Sequence, residues 1–207
     1  MIPVGDELEL EAVAQLQPGA PGVVVCHPHP AFGGRLDTPL VVALAEALAH
    51  AGLSTVRFNF RGLGASTGTP TGGQREHEDV RAVAAWLRAA GAPKIALVGY
   101  SFGALMAMKA IAAGEPAAAY VAVGFPTTIL GEHPDRLGDV RRAIATGIPW
   151  LFINGDHDPF CDLGQLRGFA DGHPSVTMDV LAGGHFFEGA AAAELVARVA
   201  AFTRQVL

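Results

Sequence analysis

The sequence predicts an α/β protein: a mainly parallel sheet of about seven strands with helices on both faces and a minimal cap or none. Three observations lead there. Short β-branched runs alternate with Ala/Leu-rich helical stretches along most of the chain, the order that places crossover helices on a parallel sheet. Half of the 207 residues are apolar, enough for one sizeable core. No repeat, linker or low-complexity tract divides the sequence, so residues 1–207 are expected to form one domain.

The elements follow in order. Residues 7–16 set Leu8, Leu10, Ala12, Ala14 and Leu16 against mostly polar neighbours, the pattern of an edge strand, which can run antiparallel. Strands at Val23–Cys26, Thr55–Phe58 and Lys94–Val98 are each followed by a helical stretch, at 38–51, 75–90 and 102–113. Further strands fall near 118–124, 149–154 and 175–181, with helices near 136–146, 162–171 and 189–206. The segment from Phe125 to Gly147 is too short for a large cap domain. Glycine and proline cluster at 62–73, a turn-rich loop; its Gly62, Gly64 and Gly68 lack the spacing and the following helix of a dinucleotide site.

Twenty acidic against fourteen basic residues give a net charge of −6, with no basic run to neutralise a phosphate backbone, so nucleic acid is not an expected partner. No G-x-x-x-x-G-K-[ST] loop is present. The start Met1-Ile2-Pro3-Val4-Gly5-Asp6-Glu7 lacks a basic, apolar leader, and the apolar segments stop short of a membrane span; a cytoplasmic protein without membrane partners is expected. Cys26 and Cys161 form neither a disulfide framework nor a metal-binding spacing.

In a parallel sheet, ligands bind beyond the carboxyl ends of the strands, so the residues just after each strand carry the functional information. After Ile95–Val98 comes Gly99-Tyr100-Ser101-Phe102-Gly103 and then a helical Ala104-Leu105-Met106-Ala107-Met108. This is G-x-S-x-G between a strand and a helix, where a sharp turn lifts a serine hydroxyl toward solvent and leaves room only for glycine two residues to either side. Ser101 is the candidate nucleophile. Met106 and Met108 read as helix packing.

A serine hydroxyl needs a base to take its proton and a carboxylate to orient that base. His185, in Gly183-Gly184-His185-Phe186-Phe187, follows the last strand and is the candidate base; His173 stands at a strand entrance and His133 in a polar connection. After the strand at 149–154 the loop Gly155-Asp156-His157-Asp158-Pro159-Phe160 offers two carboxylates, either of which could reach the histidine. An oxyanion needs backbone donors. One is the N–H of Phe102; the other is sought in His27-Pro28-His29-Pro30-Ala31-Phe32, where proline has no N–H, with His29 the candidate and Ala31 or Phe32 the fallback. His27 and His29 with Asp156, His157 and Asp158 could be imagined as metal ligands, but two prolines suit a rigid loop better, and neither metal nor cofactor is expected. Arg61 reads as bracing the following loop. Phe125, Phe160 and Phe186 are candidate edges of a substrate pocket.

Together these stretches resemble the α/β-hydrolase superfamily, and within it the small cap-less bacterial serine hydrolases close to the dienelactone hydrolase group. The resemblance rests on His27–Pro30 with Gly33-Gly34, Arg57–Gly62 with Gly64 and Ser66, Gly99–Gly103, Gly155–Asp158 and His185–Phe187. It implies hydrolysis of a small-molecule ester or thioester, and it favours Asp158, three residues after Gly155, as the acid. Dienelactone hydrolases carry cysteine at the elbow where this chain has Ser101, and the proline-flanked loop departs from the His-Gly-Gly form of lipases. A ligand-binding protein without catalysis, or a peptidase or acyltransferase with the same residues, is the competing expectation.

Overall fold

The computed structural model describes residues 1–5, 8–130 and 134–207. In chain order the strands are β1 (Ile2–Val4), β2 (Leu8–Leu10), β3 (Ala12–Gln15), β4 (Gly22–Cys26), β5 (Ser54–Phe58), β6 (Ile95–Tyr100), β7 (Ala119–Val123), β8 (Trp150–Gly155) and β9 (Val176–Leu181). The helices are α1 (Pro39–His50), α2 (Glu76–Ala89), α3 (Phe102–Ala112), α4 (Pro134–Ile144), α5 (Leu163–Ala170) and α6 (Gly189–Val206). Seven strands form one sheet in the order β3-β5-β4-β6-β7-β8-β9. Only β3 is antiparallel to its neighbour; β4 to β9 all run parallel.

Alternation along the strands distributes the core. Val24, Cys26, Phe58, Leu97, Tyr120, Trp150 and Phe152 join the apolar layer that contains the inner faces of α2 and α3, while Val23, Val25, Val98, Val121, Val123, Leu151 and Ile153 join that of α1 and α6. The strands therefore read as continuous apolar runs because both of their faces are covered. Among the described residues, no helix is long and apolar enough to cross a membrane.

The expected edge strand over 7–16 is two strands, and Glu7 lies outside the described residues. β2 pairs with β1, which the sequence reading missed, and only β3 joins the main sheet. Glu11 makes the break. Its amide donates to Ser66 Oγ (2.9 Å), and its Oε2 accepts from Asn59 Nδ2 (2.7 Å) and the Ala65 amide (2.9 Å). These bonds clamp the glycine-rich loop to the sheet, and the Ala65 and Asn59 donors hold the Glu11 carboxyl below the usual range. The alternation also fails beyond Ala12, because β3 lies at the sheet margin; Val13 and Leu16 are exposed.

Arg61, just past β5, is 4% exposed and forks onto Asp79 of α2, with Nη2–Oδ1 at 2.6 Å and Nε–Oδ1 at 2.9 Å, and also reaches Glu78 at 3.2 Å. Its amide donates to the same carboxylate, so a buried ion pair joins the end of β5 to the start of α2. Removing one charge strands the other. Asp79→Asn is expected to cost about 3 kcal/mol, the lower part of the range for unpairing a buried charge because Glu78 remains, read as a lowered urea-unfolding midpoint.

Candidate active site

The parallel strands end on a common rim, with Cys26 opposite Gly99, Tyr100 opposite Val123 and Gly155 opposite Leu181. At its centre Ser101 has φ 54° and ψ −113°, a left-handed conformation that costs a non-glycine residue about 1–3 kcal/mol. The flanking glycines permit it. A Cβ on Gly99 would lie 2.5 Å from the backbone of Ala104, and one on Gly103 2.4 Å from the carbonyl oxygen of Cys26. The Ser101 amide donates to Val123 O at 2.8 Å, and its carbonyl accepts from the amides of Ala104 and Leu105.

The Ser101 hydroxyl lies 2.9 Å from His185 Nε2, and His185 Nδ1 lies 2.7 Å from Asp158 Oδ2. The Asp158 side chain is fully buried, so the acceptor beside Nδ1 does not compete with bulk water. An N–H on Nδ1 pointing at the carboxylate leaves the Nε2 lone pair for the serine proton. The other oxygen of Asp158 accepts from the Phe160 amide at 2.8 Å, which fixes the carboxylate plane.

Asp156, the other carboxylate of that loop, has a different task. Its Oδ1 accepts from the Gly183 amide (2.8 Å) and lies 2.6 Å from His157 Nδ1, tying the β8 loop to the loop that carries His185. The Gly183 amide and His157 draw its carboxyl below the usual range. His173 follows α5 on the surface, and His133 lies outside the described residues.

Two residues that the sequence reading did not single out seat the imidazole. Tyr100 donates its hydroxyl to His185 O at 2.9 Å, and burial, followed by the charge of Asp158, pushes its pKa up to about 12, so the donor keeps its proton. Gly124, at φ +56°, lies under the ring; a Cβ there would approach His185 Cε1 to 3.1 Å. A glycine directly after β7 was the available signal. Phe187, at φ 42°, sinks into the α6 side of the core and turns the chain so that Phe186 points outward.

The amide of Phe102 opens α3 and has no intrahelical acceptor. In the loop after β4, the Ala31 amide donates to His29 Nδ1 (3.1 Å) and the Phe32 amide to His29 O (3.0 Å), so neither fallback donor is free. Among the described residues, the His29 amide donates to no protein acceptor. The close approach of Gly103 to Cys26 and His27 brings this loop against the elbow, with the rings of His29 and Phe102 4.8 Å apart.

His27 pins the same loop from beneath. Its Nδ1 lies 2.7 Å from Pro28 O and its Nε2 accepts from the Phe60 amide at 3.2 Å, a pairing that requires the neutral ring and occupies both nitrogens.

Above Ser101 opens a cleft of about 470 Å³, whose walls include Phe32, Leu105, Ile129, Phe160 and Phe186. Phe125 does not line it, contrary to expectation. It is fully buried with its ring 5.3 Å from Phe152, because the chain leaving β7 still runs inside the core and first reaches the cleft at Pro126.

A serine in a left-handed turn between the central parallel strand and its helix, in contact with a histidine that itself meets a buried carboxylate, defines the class: doubly wound α/β proteins with a nucleophile elbow. Residues 22–198 match the alpha/beta hydrolase domain family, and the chain belongs to it. It is similar to an alpha-beta serine hydrolase homologue from Coxiella burnetii, at 33% identity over 94% of this chain and 91% of that one, with a TM-score of 0.78. A serine hydrolase without a lid from Xanthomonas campestris is 28% identical, covering 96% and 89% of the two chains, with a TM-score of 0.77. An esterase from Pyrococcus furiosus shares the fold, at 19% identity over 99% and 89% of the chains and a TM-score of 0.82. Hydrolase chemistry is the type of function that the family match and the first two likenesses support.

Burial lowers the pKa of His27 from 6.5 to about 4. Between those values the unfolded chain takes up a proton that the folded chain does not, so stability falls as pH falls. The contribution is fully present above pH 6.5 and about 3 kcal/mol smaller by pH 4. Urea unfolding from pH 7 to pH 4 is expected to show this decline, and His27→Gln to flatten it.

Proposed function

We propose that the protein is a serine esterase that cleaves its substrate through an acyl-enzyme. The observation that carries this reading is the unbroken chain from Ser101 Oγ to His185 (2.9 Å) to Asp158 (2.7 Å) at the mouth of an open cleft. His185 Nε2 takes the hydroxyl proton as Ser101 Oγ attacks the ester carbonyl, and Asp158 stabilises the imidazolium that forms. The amides of Phe102 and His29 receive the negative oxygen of the tetrahedral intermediate. Collapse expels the alcohol, which takes its proton from His185. Water, deprotonated by the same histidine, then attacks the acyl-serine and releases the acid and Ser101.

Apart from the ester and water, every group in this sequence comes from the chain itself, so the reaction needs no cofactor or metal. The described part of the β7–β8 connection holds one helix, α4, and the Phe-edged cleft stays open to small-molecule substrates.

The wild-type protein is expected to react with a fluorophosphonate probe and to hydrolyse p-nitrophenyl acetate. Ser101→Ala should abolish labelling and lower kcat by about 10⁴-fold or more. Asp158→Asn should lower kcat by about 10⁴-fold through the wrong histidine tautomer, whereas Asp156→Asn, which disturbs only a loop tie, should stay within about tenfold of wild type. A protein that neither labels nor turns over esters is a binding protein on this fold, and a larger loss from Asp156→Asn than from Asp158→Asn reassigns the acid.

A further inference from the structure

We infer that the substrate is an uncharged ester with an extended apolar acyl group, gripped across Ser101 by Phe32 on one side and Phe160 and Phe186 on the other; this rests on the esterase reading. Among the described residues seven large apolar side chains are exposed, and the three phenylalanines among them, Phe32 (85%), Phe186 (69%) and Phe160 (40%), all line the same cleft. Exposed aromatic rings gathered at one opening mark a surface that becomes covered in use.

The rings stand on separate loops. Phe32 belongs to the short turn after β4, Phe160 to the loop after β8 and Phe186 to the loop after β9. In the sheet, β4 lies on one side of β6 and β8 and β9 on the other, so the rings face each other across the serine that β6 presents. Leu105 and Ile129 continue the apolar wall below the rim, in contact with the α3 side of the core.

The polar side chains that line the cleft are Ser, Thr, Tyr and His, and several of their atoms are already committed. Tyr100 donates to His185 O, Thr38 Oγ1 accepts from the Arg35 amide, and His29 Nδ1 accepts from the Ala31 amide. Among the described residues, the lining has no Asp, Glu, Lys or Arg. A carboxylate or ammonium on the acyl group would lose water there and meet no Asp, Glu, Lys or Arg, whereas each methylene placed between the rings leaves water at a gain.

The test is kcat/KM for p-nitrophenyl acetate, butanoate and hexanoate, and for the p-nitrophenyl monoester of hexanedioic acid against its methyl ester, with fluorophosphonate labelling in parallel. The rate constant is expected to rise about two- to fourfold per methylene from acetate to hexanoate. The free carboxylate should run at least about tenfold below its methyl ester. Phe32→Ala and Phe186→Ala, with folding checked by thermal unfolding, should each lower the hexanoate-to-acetate ratio by about threefold or more. A flat or falling series, or equal rates for the acid and its methyl ester, in protein that labels at Ser101 overturns the inference and leaves the esterase reading standing. Protein that does not label overturns both.

Discussion

The crowding of backbone around residues 99–103 is the constraint on which the site depends. β6 must turn into α3 within one residue, and the turn is so tight that Gly99 meets Ala104 and Gly103 meets the end of β4. The left-handed Ser101 is the outcome, its hydroxyl clear of the sheet and its carbonyl engaged by the first turn of α3. The same contacts draw the loop after β4 against the N-terminus of α3, where, among the described residues, the amides of Phe102 and His29 donate to no protein acceptor. One steric arrangement thus presents both the proposed nucleophile and the proposed anion-binding corner.

Around that centre the other loops hold one another. Asp156 ties the loop after β8 to the loop after β9 through Gly183, and a Cβ on Gly155 would lie 2.3 Å from Gly183 O, so the two loops travel as a unit. Tyr100 fixes the backbone of His185 while Gly124 leaves space for its ring. Behind that corner, His27, Asn59 and Glu11 connect the β4 loop, the end of β5 and the edge strands: Asn59 accepts from the Leu36 amide and donates to Glu11. The groups proposed to react stand on loops, but those loops are braced by buried hydrogen bonds to a rigid sheet.

Much of this was legible in the sequence because the signals were local. β-branched runs buried on both faces, a G-x-S-x-G set between a strand and a helix, and a histidine after the last strand need no knowledge of distant contacts. Asp156 and Asp158 were harder, since two carboxylates two residues apart on one loop differ only in the direction the turn gives them, and only their partners, Gly183 and His185, separate them. Phe125 misled for a related reason: an aromatic after a strand can turn outward or inward, and the depth of the chain leaving β7 decides. Glu11 interrupts the edge strand because Asn59 and Ala65, some fifty residues on, claim its carboxylate. Tyr100 and Gly124 serve through contacts with His185 that no spacing rule encodes.

In the proposed reaction one elbow sets nucleophile, base and amide donors around a single point. A crystal structure of the protein after reaction with a small alkyl fluorophosphonate tests this most directly. Phosphorus is expected on Ser101 Oγ, with the phosphoryl oxygen about 2.7–3.1 Å from the amide nitrogens of both Phe102 and His29. Phosphorus on another residue, or a phosphoryl oxygen turned away from both amides, would contradict it.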